Sequence, residues 1–115
     1  KIFGGNMRQV GYLAAAGLYA LDNNIDRLEK DHKKAKEIGK LLESLSYIKT
    51  VESVETNIVV FEVNSDIKET EFVQKLKENN ILIIGMGSNK LRIVTHLDYT
   101  EAMHDKVQDI LKSLY

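Results

Sequence analysis

A chain of 115 residues with 43% apolar and 29% charged side chains has material for one compact core and is too apolar to stay disordered. Sixteen Lys and Arg balance seventeen Asp and Glu to a net charge of -1, which removes the basic footprint of a nucleic-acid binder. The absence of cysteine excludes a disulfide framework, a thiolate metal site and a cysteine nucleophile, and suits a reducing cytoplasm, the expected location.

The chain opens on Lys1-Ile2-Phe3-Gly4-Gly5, which reads like the middle of a longer sequence, so a fragment is expected. From Met7 to about Asn23 the residues are apolar almost all round, with Gly11, Ala14, Ala15, Ala16 and Gly17 as small members, and a helix of that composition must be buried on most sides. Its longest apolar run, Val10 to Leu21, is 12 residues, short of the roughly 18 that span a bilayer, so no membrane partner is expected. Interior glycines cost about 0.5 to 1 kcal/mol each relative to alanine, a cost best offset where another backbone comes close.

Asn23, Asn24 and Asp26 then break the chain. Ile25, Leu28, His32, Ala35, Ile38, Leu42 and Leu45 recur at spacings of three and four and predict an amphipathic helix over about 25–46, its charged residues on a solvated face. Short β-branched stretches follow: Ile48 to Val51, a weak strand signal, and Asn57 to Val63, a strong one. Thr70 is a candidate N-cap for a short helix carrying Phe72, Val73 and Leu76 and ending near Asn79-Asn80. Ile81 to Ile84 and Leu91 to Thr95 then read as a hairpin joined through Gly85, Gly87, Ser88 and Asn89, and Thr100 caps a last helix with Met103, Val107, Ile110, Leu111 and Leu114 inward. The expected fold class is α+β: a small, mostly antiparallel sheet with helices on one face, preceded by two helices. The expected division is 1–47 as interface helices and 48–115 as the small α+β domain, the first helix needing a second body to cover it.

Three places offer chemistry. Glycines leading into a helix between Lys1 and Arg8 suit either a phosphate or carboxylate site or a plain flexible lead-in with surface cations. On the strand Leu91 to Thr95, alternation sets Arg92, Val94 and His96 opposite Leu91, Ile93 and Thr95, so Arg92 sits mid-strand among apolar neighbours. Its planar fork suits a substrate carboxylate; an arginine on the solvated face of a one-sided sheet is the alternative. His96 and Asp98 form either an imidazole oriented by a carboxylate or the cap of a strand-to-helix turn. His32, His96 and His104 have no paired ligand spacing, so no metal site is expected, and His32 reads as a packed or snorkelling side chain.

The ordered motifs match a known family. Gly4-Gly5-Asn6-Met7-Arg8-Gln9, the alanine-rich helix, Asp26-Arg27-Leu28 with Asp31-His32, Thr56-Asn57-Ile58-Val59 and Leu91 through Asp98 resemble the C-terminal part of low-specificity L-threonine aldolases, over most of the chain. The family has a third glycine where Asn6 stands; asparagine tolerates positive φ better than most residues.

The resemblance implies the C-terminal domain of a pyridoxal-phosphate enzyme of the aspartate-aminotransferase type (fold type I), which cleaves L-threonine or allo-threonine to glycine and an aldehyde with the cofactor as electron sink. It places the Schiff-base lysine and the large cofactor-binding domain upstream, leaving no catalytic residue here and implying an inactive fragment. Arg92 matches the arginine that grips the substrate α-carboxylate, while Arg8 and Lys1 match basic positions that hold the cofactor phosphate across a subunit interface. A homo-oligomer, dimer or tetramer, acting on a small amino acid follows. Two other readings stand: a noncatalytic α+β module that dimerises through its first helix and binds a small carboxylate at Arg92, and a related β-eliminating lyase.

Overall fold

A computed structural model describes residue 5 and residues 7–115. Among the described residues four helices and four strands follow in the order α1 (Val10–Asn23), α2 (Leu28–Glu43), β1 (Ile48–Val51), β2 (Ile58–Val63), α3 (Glu69–Glu78), β3 (Ile84–Gly87), β4 (Lys90–Val94) and α4 (Glu101–Ser113). The strands form one antiparallel sheet in the order β1-β2-β4-β3. In β2, Val59, Phe61 and Val63 point to one face and are buried with Leu91 of β4, as strand alternation requires. Ala35, Ile38 and Leu42 of α2, Phe72 and Leu76 of α3 and Leu111 of α4 close over that face. The α+β expectation, an antiparallel sheet with helices on one side, holds.

Helix α2 shares the core with the sheet, although the sequence grouped it with the interface helices ahead of residue 48. Its buried stripe is Asp31, Lys34, Ala35, Ile38, Gly39 and Leu42, so the first turns are rotated from the expected Leu28 and His32. Two charged side chains replace those residues because each is satisfied. The Asp31 carboxylate takes two bonds from Arg27 at 3.0 and 3.2 Å, and the Lys34 ammonium donates to the Tyr99 carbonyl at 2.6 Å and pairs with Glu101 at 3.1 Å. In α4 the buried residues are His104 and Leu111, with Met103 exposed instead of inward. His104 lies between the Glu37 carboxylate at 2.8 Å and the Tyr99 hydroxyl at 3.3 Å.

Two further boundaries differ. Helix α3 starts two residues early, with Lys68 and not Thr70 at its N-cap and no side-chain cap; Glu69 and Glu71 in its first turn complement the positive end of the helix instead. The third strand is Ile84–Gly87, three residues later than predicted. Ser88 and Asn89 both take positive φ (55° and 60°), the backbone of a two-residue hairpin turn matched to strand twist, so pairing begins at once with Gly87 opposite Lys90 and reaches back only to Ile84 opposite Arg92. Thr100 caps α4 as expected, accepting the Met103 N–H at 3.3 Å.

Helix α1 buries no side chain, and Tyr12, Leu13, Leu18, Tyr19 and Leu21 are all exposed. Nothing lies within 4 Å of a Cβ placed at Gly11 or Gly17, so no backbone approaches these glycines among the described residues.

Candidate functional site

The face of the sheet opposite the helices is open. Ile58, Ile84, Met86 and Val94 stand on it, each between 41% and 55% exposed. Arg92 is at its centre, because the register pairs it with Val60 of β2 on one side and Ile84 of β3 on the other. Its neighbours Leu91 and Ile93 turn into the core. The Arg92 Nε is buried and has no hydrogen-bond partner, and no carboxylate among the described residues pairs with the guanidinium. An arginine lying on a plain solvated face would keep Nε in water. Here the donor is shielded and unpaired, an arrangement that costs about 1 to 3 kcal/mol, and the positive charge of the guanidinium is answered by no acid among the described residues.

One end of this face is closed by ion pairs. Glu62, opposite Lys90, instead receives a bond from Lys49 at 2.7 Å, and Lys90 pairs with Glu52 at 2.9 Å. The bond to Glu52, then the charge of that carboxylate, raises the Lys90 pKa above its ordinary value. The two acids nearest that end thus have lysine partners.

The other end is anchored from behind. The Asn57 side chain donates to the Thr95 carbonyl at 2.6 Å, the Thr95 N–H donates to the Asn57 carbonyl at 3.0 Å, and the fully buried Thr95 hydroxyl donates to the Asp31 carbonyl at 2.8 Å. These bonds pin the strand carrying Arg92 to both β2 and α2. Asn57, Thr95 and Asp31 fall within the motifs that carry the family resemblance, but the residue types themselves mark only a strand start, a strand end and a helix face.

The remaining candidates sit elsewhere. His96 is exposed; its Nδ1 accepts the Asp98 backbone N–H at 3.2 Å, while the Asp98 carboxylate is 3.9 Å away. That is a turn cap, and it leaves no oriented imidazole for proton transfer. His32 is half-buried on the outer side of α2. Arg8 is exposed just ahead of α1, which has no side-chain cap and no acidic residue in its first turn. Helix α1 does not pack on the sheet, so the structure does not bring Arg8 to Arg92. Lys1 and Asn6, the other parts of that anion-site reading, lie outside the described residues. A separate cleft of about 400 Å³ runs between α4 and the segment leading into β3, lined by Leu82, Val94, His96, Met103 and Lys106 among others; Arg92 does not line it.

The architecture has solved counterparts. An ornithine aminotransferase from Toxoplasma gondii, a structure with partial occupancy of PLP at its active site, superposes with a TM-score of 0.64 at 26% identity, covering 88% of this chain and 25% of the other. The α+β arrangement therefore matches that of fold type I pyridoxal-phosphate enzymes. In sequence, residues 1–66 match the family model of the beta-eliminating lyases. The chain is 40% identical over 103 residues to low-specificity L-threonine aldolase 1 of Arabidopsis thaliana, covering 87% of this chain and 29% of that protein. It is 39% identical over 98 residues to the low specificity L-threonine aldolase of Escherichia coli K12, covering 85% and 28% respectively. The chain belongs to the beta-eliminating lyase and threonine aldolase family, and it spans less than a third of the length of these curated relatives.

Proposed function

We propose that the protein of which this chain is a part is a pyridoxal-phosphate-dependent aldolase that cleaves L-threonine or allo-threonine to glycine and an aldehyde, with Arg92 holding the substrate α-carboxylate. The observation that carries the reading is the Arg92 guanidinium, with no acid among the described residues paired to it, at the centre of the open sheet face between Val60 and Ile84. The names of the curated relatives supply the reaction class.

Arg92 binds and orients. A two-point contact between guanidinium and carboxylate fixes rotation about the substrate's α carbon, and so selects which bond to that carbon is aligned for cleavage. The aliphatic side chains of Val60 and Ile84 flank it and lower the local polarity beside the guanidinium, which strengthens the contact. When bound, pyridoxal phosphate would supply the electron sink for this cleavage. Arg8 suits the cofactor's phosphate: the uncapped amides of α1 and the missing acid in its first turn leave a positive end beside a cation. Lys1 is proposed for the same role from the resemblance alone. The exposed apolar side of α1 is proposed to meet the rest of the protein or another subunit of a homo-oligomer. Among the described residues no helix is long and apolar enough to cross a membrane.

The test is acetaldehyde release from L-threonine and L-allo-threonine by the intact protein, with the 115-residue chain alone expected to be inactive. Arg92→Lys in the intact protein is expected to lower kcat/KM at least about tenfold, because an ammonium cannot reproduce the two-point contact. Unchanged kinetics would remove Arg92 from this role. Release of ammonia and 2-oxobutyrate in place of glycine and acetaldehyde would assign the protein to the eliminating branch of the family.

A further inference from the structure

The guanidinium of Arg92 has two edges, and the sheet treats them differently. Nε is shielded from solvent and unpaired, whereas neither terminal nitrogen is both buried and unpaired. No terminal nitrogen is engaged by an acid of the described chain. Side chains directly opposite one another in antiparallel strands have Cβ atoms about 4.5 to 5.5 Å apart, close enough to cover each other's stems. Arg92 has such a neighbour on both sides, Val60 from β2 and Ile84 from β3, and both are branched and aliphatic.

We infer that Val60 and Ile84 are positioning residues that sheathe the Arg92 stem and its Nε, so that the guanidinium offers an incoming carboxylate only its terminal Nη1 and Nη2 edge. This rests on the reading of Arg92 as the carboxylate grip. The sheath acts in two ways. It removes the side-on approach through Nε, leaving one geometry for the bound carboxylate. It also denies Nε a competing water or hydroxyl, so the side chain's charge is answered from the terminal edge alone. An aliphatic pair does this where a polar pair would supply a local partner. Both positions are β-branched in the strands; threonine matches valine in shape and is one carbon shorter than isoleucine, a loss that the Ile84→Val control reproduces, and at either position it introduces a hydroxyl beside Nε.

The experiment compares Val60→Thr and Ile84→Thr in the intact holoenzyme with Val60→Ile and Ile84→Val as conservative controls. It reads KM and kcat for threonine, the dissociation constant for glycine by calorimetry, and Tm. The threonine variants are expected to raise KM and the glycine dissociation constant about fivefold, because a hydroxyl accepting from Nε answers part of the charge otherwise left to the ligand, with kcat within about twofold. The aliphatic controls are expected to keep the parent values. Ile84 lies on an edge strand and is 54% exposed, so Ile84→Thr keeps the test decisive even where Val60→Thr does not fold. Threonine variants that lower only Tm and leave KM and glycine binding unchanged, while Arg92→Lys impairs both, would overturn the sheath and spare the grip. Unimpaired Arg92→Lys would remove the grip, and the sheath with it.

Discussion

Thr95 carries more of the site's rigidity than its type suggests. Its side chain is fully buried, and its hydroxyl bridges the end of β4 to the Asp31 carbonyl in α2, three residues from Arg92. Valine has nearly the same shape without the donor. Thr95→Val is therefore expected to lose one buried hydrogen bond, about 1 kcal/mol, and to lower Tm by several degrees in thermal unfolding. A Tm at or above the parent's would show that packing alone fixes this strand end. The contrast with Arg92 is instructive: alternation along Leu91 to Thr95 already set the arginine apart from its apolar neighbours, while nothing local distinguishes a threonine bonded to a helix from one facing solvent.

Among the elements, α2 shows how a close approach sets residue choice. Gly39 is buried, and a Cβ placed there would lie 2.8 Å from Cγ2 of Val54, a stiff side chain that cannot withdraw cheaply. Alanine normally gains about 1 kcal/mol over glycine within a helix, but overpacking costs about 1 to 3 kcal/mol. Gly39→Ala is expected to be destabilising by about 1 kcal/mol net. The double variant Gly39→Ala/Val54→Ala should cost less than the two single changes summed, measured by urea unfolding. Additive costs would place the strain elsewhere. The late start of β3 is also settled at this level: Ile81 to Ile83 have the apolar character of a strand, but the turn at Ser88 and Asn89 determines which residues can pair with β4.

At the scale of the molecule, two tyrosines tie distant segments together and set an alkaline limit. The Tyr47 hydroxyl donates to the Leu111 carbonyl at 2.5 Å, joining the start of the sheet to α4, and Tyr99 accompanies His104 beneath α2. Burial, and then the nearby Tyr115, pushes the Tyr47 pKa from 10.0 up to about 12; burial, then Asp105 and Glu101, does the same for Tyr99. Folding favours the neutral phenols. Their contribution is complete below about pH 10, where the unfolded chain also keeps them protonated, and is lost as pH rises through about 12. Unfolding free energy is expected to fall over that window, and the double variant Tyr47→Phe/Tyr99→Phe to flatten the fall. An equally steep decline in the double variant would assign the alkaline limit to other groups.

The molecule is also elongated, 52 by 29 by 27 Å, because α1 does not pack on the sheet. Amino-acid order alone determined that α1 is apolar all round, that β2 and β4 alternate, that α3 and α4 are amphipathic, and that Arg92 falls mid-strand away from the core. Those features follow from periods of 3.6 and 2 within short windows. The tertiary structure alone decided that Asp31, Lys34 and His104 are buried, that Thr95 and Asn57 lock the end of β4, and that Val60 and Ile84 flank Arg92. Apart from the bond between Asp31 and Arg27, four positions away, each depends on a partner 38 or more positions away or on strand register. A buried polar group becomes tolerable, and a binding group becomes available, only through the neighbours that folding brings to it.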